Sequence, residues 1–244
     1  MELDTAALLA TVERSAKAAG NMLNSHKATV IQSRGKDIKI SADKEAHEQI
    51  LHNLKQTDIP ILSEEDNIHD FKTELRWVVD PLDGSINFLR SIPFCAVSIG
   101  LLHKDEPILG VIHDFNRQET FTGIVGKGAW MNEEPISVSG VQDAAEAVLA
   151  TGFPTYTDYS EAALKEYISM VRSFKKVRLL GAASLSLAYV ACGRLDAYFE
   201  RDIKVWDVAA GLALVKAAGG RTSDLVLGSD GGCTVSAGTT IDKN

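Results

Sequence analysis

The run Trp77-Val78-Val79-Asp80-Pro81-Leu82-Asp83-Gly84-Ser85 constrains this chain more than any other segment. Its apolar start suits a buried strand that delivers Asp80 to its end. Pro81 fixes the backbone and removes a ladder donor, so the strand is expected to stop there. Asp83 returns a second carboxylate within one turn, and Gly84 gives the chain freedom to enter a helix running from Ser85 to Arg90. Two carboxylates in one small volume are hard oxygen ligands for cations, and the free N–H groups of a helix start attract an anion. Taken alone, Asp-Pro and Asp-Gly are also common turn dipeptides, and Asp83 could merely cap the following helix.

Two more acidic segments have similar surroundings. Glu64 follows the short apolar run Ile61-Leu62 and opens Glu64-Glu65-Asp66. On its own it reads as a solvated loop. Asp207 lies in the first turn of the apolar stretch Val205 to Ala218, beside Trp206. A carboxylate there would complement the helix dipole, worth only about 0.3–1 kcal/mol, as readily as it would bind a metal.

The remaining chain supplies the frame for these residues. Leu8, Val12, Ala16, Ala19 and Leu23 recur at helical spacing between Asp4 and His26, and Ala42, Ala46, Ile50 and Leu54 do so after Ser41, a candidate cap. Strands are expected at 93–102, 108–113 and 120–124, so the middle is rich in antiparallel sheet. Beyond residue 140 the texture alternates: strand 148–151, helix 159–174, helix 183–192, strand 194–200 and helix 205–218, closed by Gly219-Gly220. The expected organisation is an N-terminal α+β half, 1–140, carrying Glu64 and Asp80 to Ser85, and a C-terminal α/β half, 141–244, carrying Glu200 and Asp207. The two should pack as one unit.

Composition narrows the function. With 45% hydrophobic and 24% charged residues the chain is ordinary and globular, and its net charge of −8 argues against a nucleic-acid surface. An acidic protein can still take a phosphate where cations or a helix start supply the positive field. Cys95, Cys192 and Cys233 are scattered and read as reduced core thiols. The opening Met1-Glu2-Leu3-Asp4 is unlike a signal peptide, and no run reaches the ~20 apolar residues that span a bilayer, so the expected location is the cytoplasm, with no membrane partner. The glycines of Gly123-Ile-Val-Gly126-Lys127-Gly128 lack the spacing and the Ser or Thr of a nucleotide-binding loop, and no His-Glu-x-x-His segment suggests zinc.

Together, Asp80-Pro-Leu-Asp83-Gly-Ser85, the upstream Glu64-Glu65 and the downstream Trp206-Asp207-Val-Ala-Ala-Gly211 resemble the signature of the inositol monophosphatase family. So do Thr151-Gly-Phe-Pro154, Arg178-Leu-Leu-Gly181-Ala-Ala183-Ser-Leu and Gly193-Arg-Leu-Asp196-Ala-Tyr-Phe-Glu200. The resemblance covers nearly the whole chain. It implies an α+β fold, a layered αβαβα sandwich of the type shared with fructose-1,6-bisphosphatase. It further implies a homodimer that hydrolyses a small phosphate monoester, such as inositol 1-phosphate, with two or three Mg²⁺ ions and is inhibited by Li⁺. By position, Glu64, Asp80 and the Leu82 carbonyl would hold one ion, and Asp80, Asp83 and Asp207 a second, with a looser third near Glu64. Glu64, Asp80 and Ser85 would act in catalysis, Ser85 orienting the attacking water, and Gly84, Ser85, Ala183, Glu200 and Asp207 would meet the substrate.

This chain departs from the family pattern at Ser63, where many members have Gly, at Ser85 in place of Thr, and in the 32–37 loop. That loop carries Arg34 and Lys36 but no lysine at the family's active-site position. Relatives with other substrates, namely 3'(2'),5'-bisphosphate nucleotidase, fructose-1,6-bisphosphatase and histidinol phosphatase, use similar ligands. A regulatory or scaffold protein that keeps the fold without the activity is the non-enzymatic alternative.

Overall fold

The structure is a computed structural model that describes residues 3–25, 30–34, 37–66, 70–153 and 158–239. Helices α1 (Thr5–Ser25) and α2 (Ser41–Leu54) form where the apolar spacing predicts them. Val12, Ala16, Ala19 and Leu23 of α1, and Ala42, Ala46, Ile50 and Leu54 of α2, are fully buried. Ser41 does not cap α2. Ile40 precedes the first turn, and the Asp43 carboxylate accepts its N–H at 3.0 Å. The polar stretch between the helices forms an unanticipated antiparallel hairpin, β1 (Val30–Arg34) and β2 (Asp37–Ile40).

The apolar faces of α1 and α2 cover one side of a seven-stranded sheet. In spatial order it contains β3 (Ile61–Ser63), β4 (Leu75–Asp83), β5 (Ala96–His103), β6 (Glu106–Asp114), β7 (Glu119–Ile124), β8 (Gly128–Met131) and β9 (Glu134–Ile136). Only β3 and β4 run parallel; every other neighbouring pair is antiparallel. A short helix, α3 (Ser85–Leu89), follows β4 directly.

A second sheet of five strands has the order β11-β10-β12-β14-β13, with β10 (Val148–Thr151), β11 (Lys176–Arg178), β12 (Ala197–Lys204), β13 (Arg221–Thr222) and β14 (Gly232–Gly238). Between the two sheets lie α5 (Ala183–Ala191) and α6 (Val205–Ala217). Apart from Asp207 and Lys216 in its first and last turns, α6 is apolar all round and buried between the sheets. Gly100 lets it approach β5 closely: a Cβ at that position would lie 2.7 Å from the Ala210 nitrogen. Helix α4 (Glu161–Arg172) flanks the outer face of the second sheet, with the Tyr167 ring 4.5 Å from that of Phe153 and Arg201 bonded to Glu166 at 3.1 Å. The layers are therefore α1/α2, sheet, α5/α6, sheet and α4, an αβαβα sandwich. No described helix is long and apolar enough to cross a membrane.

Two strands end elsewhere than their sequences suggest. β4 continues through Pro81 to Asp83. β12 begins at Ala197, not Arg194, and passes a register break after Glu200, with Asp202 at φ 57°, before ending at Lys204.

Candidate metal and phosphate site

The irregularity in β4 builds the centre of the site. Asp80 pairs with Ser98 and Asp83 with Ala96, so three steps along β4 match two along β5. In a regular strand, residues three apart point to opposite faces; the extra residue at Pro81-Leu82 restores both carboxylates to one face. Both are buried, and the Leu82 N–H donates to Asp80 Oδ1 at 2.9 Å. Gly84 then turns the chain at φ 85°, where a Cβ would lie 3.0 Å from the Phe94 carbonyl oxygen.

α6 brings in Asp207, whose Oδ2 accepts the Lys204 N–H at 3.2 Å. Asp80, Asp83 and Asp207 each offer an oxygen, all within 4.8 Å of one another. Glu64 stands just past β3, its N–H bonded to the Val79 carbonyl at 3.1 Å, which sets its carboxyl within hydrogen-bonding reach of Asp80. Asp83 is further held by the N–H of Ser184 at 2.7 Å and its hydroxyl at 2.5 Å.

Burial dominates the electrostatics of all four. It raises Glu64 to about 8, helped by Glu65 and Asp43. Burial likewise lifts Asp83 to about 6, against the opposing Ser184 hydrogen bonds. Asp80 rises well above the carboxylate range through burial and then its neighbours Glu64, Asp83 and Asp207. Asp207 does the same through burial, Asp83, Glu64 and Glu200. A cluster that resists ionisation in isolation, and consists wholly of oxygen donors, fits a hard divalent cation.

Ser85 opens α3. Its hydroxyl lies 3.0 Å from the Leu82 carbonyl and 3.3 Å from Asp43 Oδ1, and can donate to either. Asp43 is a site residue that the sequence alone did not reveal; its signal was an acidic residue in the first turn of α2.

A cavity of about 210 Å³ opens beside the cluster, lined by Asp83, Gly152, Ala183, Ser186, Glu200 and Asp207 among others. Glu64, Asp80, Gly84 and Ser85 do not line it. Glu200, on β12, is buried, accepts the Tyr198 hydroxyl at 2.7 Å, and is raised to about 7 by burial. A wider hollow beside α4, lined by Tyr159, Leu164, Ile168 and others, holds no carboxylate cluster among the described residues. Lys36 and Pro154 lie outside the described residues, as does the side chain of Arg34.

The family model that describes the inositol monophosphatase family matches residues 3–241. This chain belongs to that family. A Nus factor SuhB of Xylella fastidiosa is 42% identical over 219 residues, covering 86% of this chain and 79% of that protein. An inositol-1-monophosphatase of Synechocystis is 38% identical over 203 residues, covering 81% and 71%. The solved structure of inositol monophosphatase from Anabaena superposes with a TM-score of 0.83 at 32% identity, over 98% of this chain and 92% of that one.

Proposed function

We propose that this family member hydrolyses a small polyol phosphate, with inositol 1-phosphate as the best-matched substrate, using Mg²⁺. The observation that carries this reading is the convergence of Asp80, Asp83 and Asp207 within 4.8 Å, beside a cavity that also presents Glu200. Glu64, Asp80 and the Leu82 carbonyl would hold one ion, and Asp80, Asp83 and Asp207 a second, with a third, looser ion near Glu64. Bound there, Mg²⁺ supplies charge neutralisation to the transferring phosphoryl group and acidity to an attacking water.

The chain's own residues do the rest. Ser85 orients the water, and Asp43, 3.3 Å from its hydroxyl, can receive a proton relayed through it. The backbone N–H groups of Gly84, Ala183 and Ser184 hold the Asp83 carboxylate in place for the cation, and Glu200 accepts the polyol hydroxyls. The burial that raises these carboxyls also excludes water from the site, which strengthens each polar contact made there. A homodimer, lithium inhibition and a cytoplasmic location belong to the same proposal. Light scattering checks the first, and a lithium titration of the activity the second.

The name Nus factor SuhB, borne by the Xylella relative, favours a second reading, a regulatory protein that acts by contact rather than by catalysis. Retention of the complete acidic set favours hydrolysis. Phosphate release from a panel of inositol 1-phosphate, fructose 1,6-bisphosphate, histidinol phosphate and a 3',5'-bisphosphate nucleotide, with Mg²⁺, separates the readings. Preference for the inositol ester supports the proposal; preference for another ester moves the substrate, and no release from any supports the regulatory protein.

A further inference from the structure

We propose that Tyr198 is a positioning residue for Glu200, and that the phenol together with Gly152 fixes the one carboxylate oxygen offered to a substrate hydroxyl. The inference rests on the polyol reading above and deepens it. Tyr198 and Glu200 lie two residues apart on β12, so their side chains leave the same face of the strand, the one turned toward α5 and α6. Tyr198 is 1% exposed, and its hydroxyl donates to Glu200 Oε2 at 2.7 Å. Among the described residues this is the one hydrogen bond made to the Glu200 carboxylate.

Gly152 closes the other side. It follows Thr151, the last residue of β10, which pairs with Phe199 in the neighbouring strand. A Cβ at position 152 would lie 2.6 Å from Glu200 Oε1 and 2.7 Å from Oε2, closer than real Cβ contacts allow. The carboxylate therefore lies flat against backbone that must lack a side chain, with a phenol at one oxygen. Either constraint alone leaves the terminal torsion of a glutamate broad. Together they leave one placement.

The chemical consequence follows from the donor inventory. An ionised carboxylate only accepts, and a phenol kept neutral by burial donates its single proton to Oε2. Oε1, which accepts from no protein group among the described residues, remains as an acceptor for an incoming hydroxyl, in a position set before the substrate arrives. Such a site favours an ester with a hydroxyl held at a fixed distance from its phosphate, as on a ring polyol. It offers nothing to an ester without one. Without the phenol, Glu200 must be ordered at the moment of binding, and the cost appears in the affinity for hydroxylated substrates.

The test compares wild type, Tyr198→Phe, Glu200→Gln and the double variant of the full chain on inositol 1-phosphate and on p-nitrophenyl phosphate. Tyr198→Phe removes one oxygen and is expected to raise KM for inositol 1-phosphate by about 3–10-fold with kcat little changed, the cost of immobilising one side chain. Both constants for the aryl ester should stay near wild type. In the Glu200→Gln background Tyr198→Phe should add nothing, because the two act through one contact. Gly152→Ala, which leaves the phenol in place, should show the same substrate split and decides the matter if Tyr198→Phe does not fold. Selective loss in Glu200→Gln, with Tyr198→Phe like wild type or equally impaired on both substrates, overturns the positioning role and leaves the polyol reading standing. No selective loss in Glu200→Gln overturns both.

Discussion

Asp207→Asn is expected to stabilise the metal-free protein while abolishing its activity. Oxygens of Asp80, Asp83 and Asp207 lie within 4.8 Å, where an ionised pair repels by about 3–4 kcal/mol at an effective dielectric near 20. The folded protein relieves this by taking up protons. Burial and the neighbouring carboxylates hold Asp207 well above the usual carboxylate range, so the folded protein loses stability relative to the unfolded chain as pH rises past that range. Asparagine bears no such cost, and its carbonyl oxygen can keep the Lys204 N–H bond now made at 3.2 Å.

The expected gain is about 2–4 kcal/mol, or a rise in Tm on the order of 5–15 °C for a chain of this size. The sign depends on pH. A carboxyl whose folded pKa is raised favours folding below its unfolded value and loses that contribution as pH climbs through the folded one. The advantage of the variant should thus be small near pH 4 and larger at neutral pH. Thermal unfolding followed by circular dichroism in EDTA at the two pH values measures it, with the addition of Mg²⁺ narrowing the gap by stabilising wild type. A variant no more stable than wild type at pH 7, or a gap unchanged near pH 4, would refute the reasoning.

Asp80→Asn and Asp83→Asn should each remove nearly all phosphate release and leave the circular dichroism spectrum intact, since both carboxylates belong to the shared cluster. Ser85→Ala should lose on the order of 10²–10⁴-fold in rate while Ser85→Thr stays close to wild type, as steady-state kinetics would show; equal rates would leave Ser85 a structural residue. Glu200→Gln should weaken catalysis on inositol 1-phosphate by about 1.5–3 kcal/mol in kcat/KM yet scarcely affect p-nitrophenyl phosphate.

The sequence displayed what repeats or clusters locally. The spacing of Val12, Ala16, Ala19 and Leu23 is enough for a helix face, and the apolar run before Asp80 is enough for a strand. Asp80, Asp83, Glu64 and Asp207 were legible because each ends or begins such an element. What stayed hidden depends on contacts between distant segments. Asp43 reaches Ser85 across 42 residues, and Ser184 binds Asp83 across 101. Neither distance leaves a local pattern. The hairpin β1-β2 gives little local signal because its strands are only five and four residues long and only the second alternates, and β11 and β13 give less because three and two residues are too short for periodicity. Pro81 pointed to a strand end where the chain instead makes a register break, a feature that only pairing with β5 defines.

The central claim is that the acidic cluster, loaded with Mg²⁺, hydrolyses a phosphate monoester. Release of inorganic phosphate from inositol 1-phosphate, followed by a colorimetric assay in Mg²⁺ and in EDTA for wild type and Asp80→Asn, tests it most directly. Turnover in wild type with Mg²⁺, absent in EDTA and in the variant, is the predicted result. Turnover that persists in EDTA or in Asp80→Asn, or none in wild type with Mg²⁺, would contradict the account.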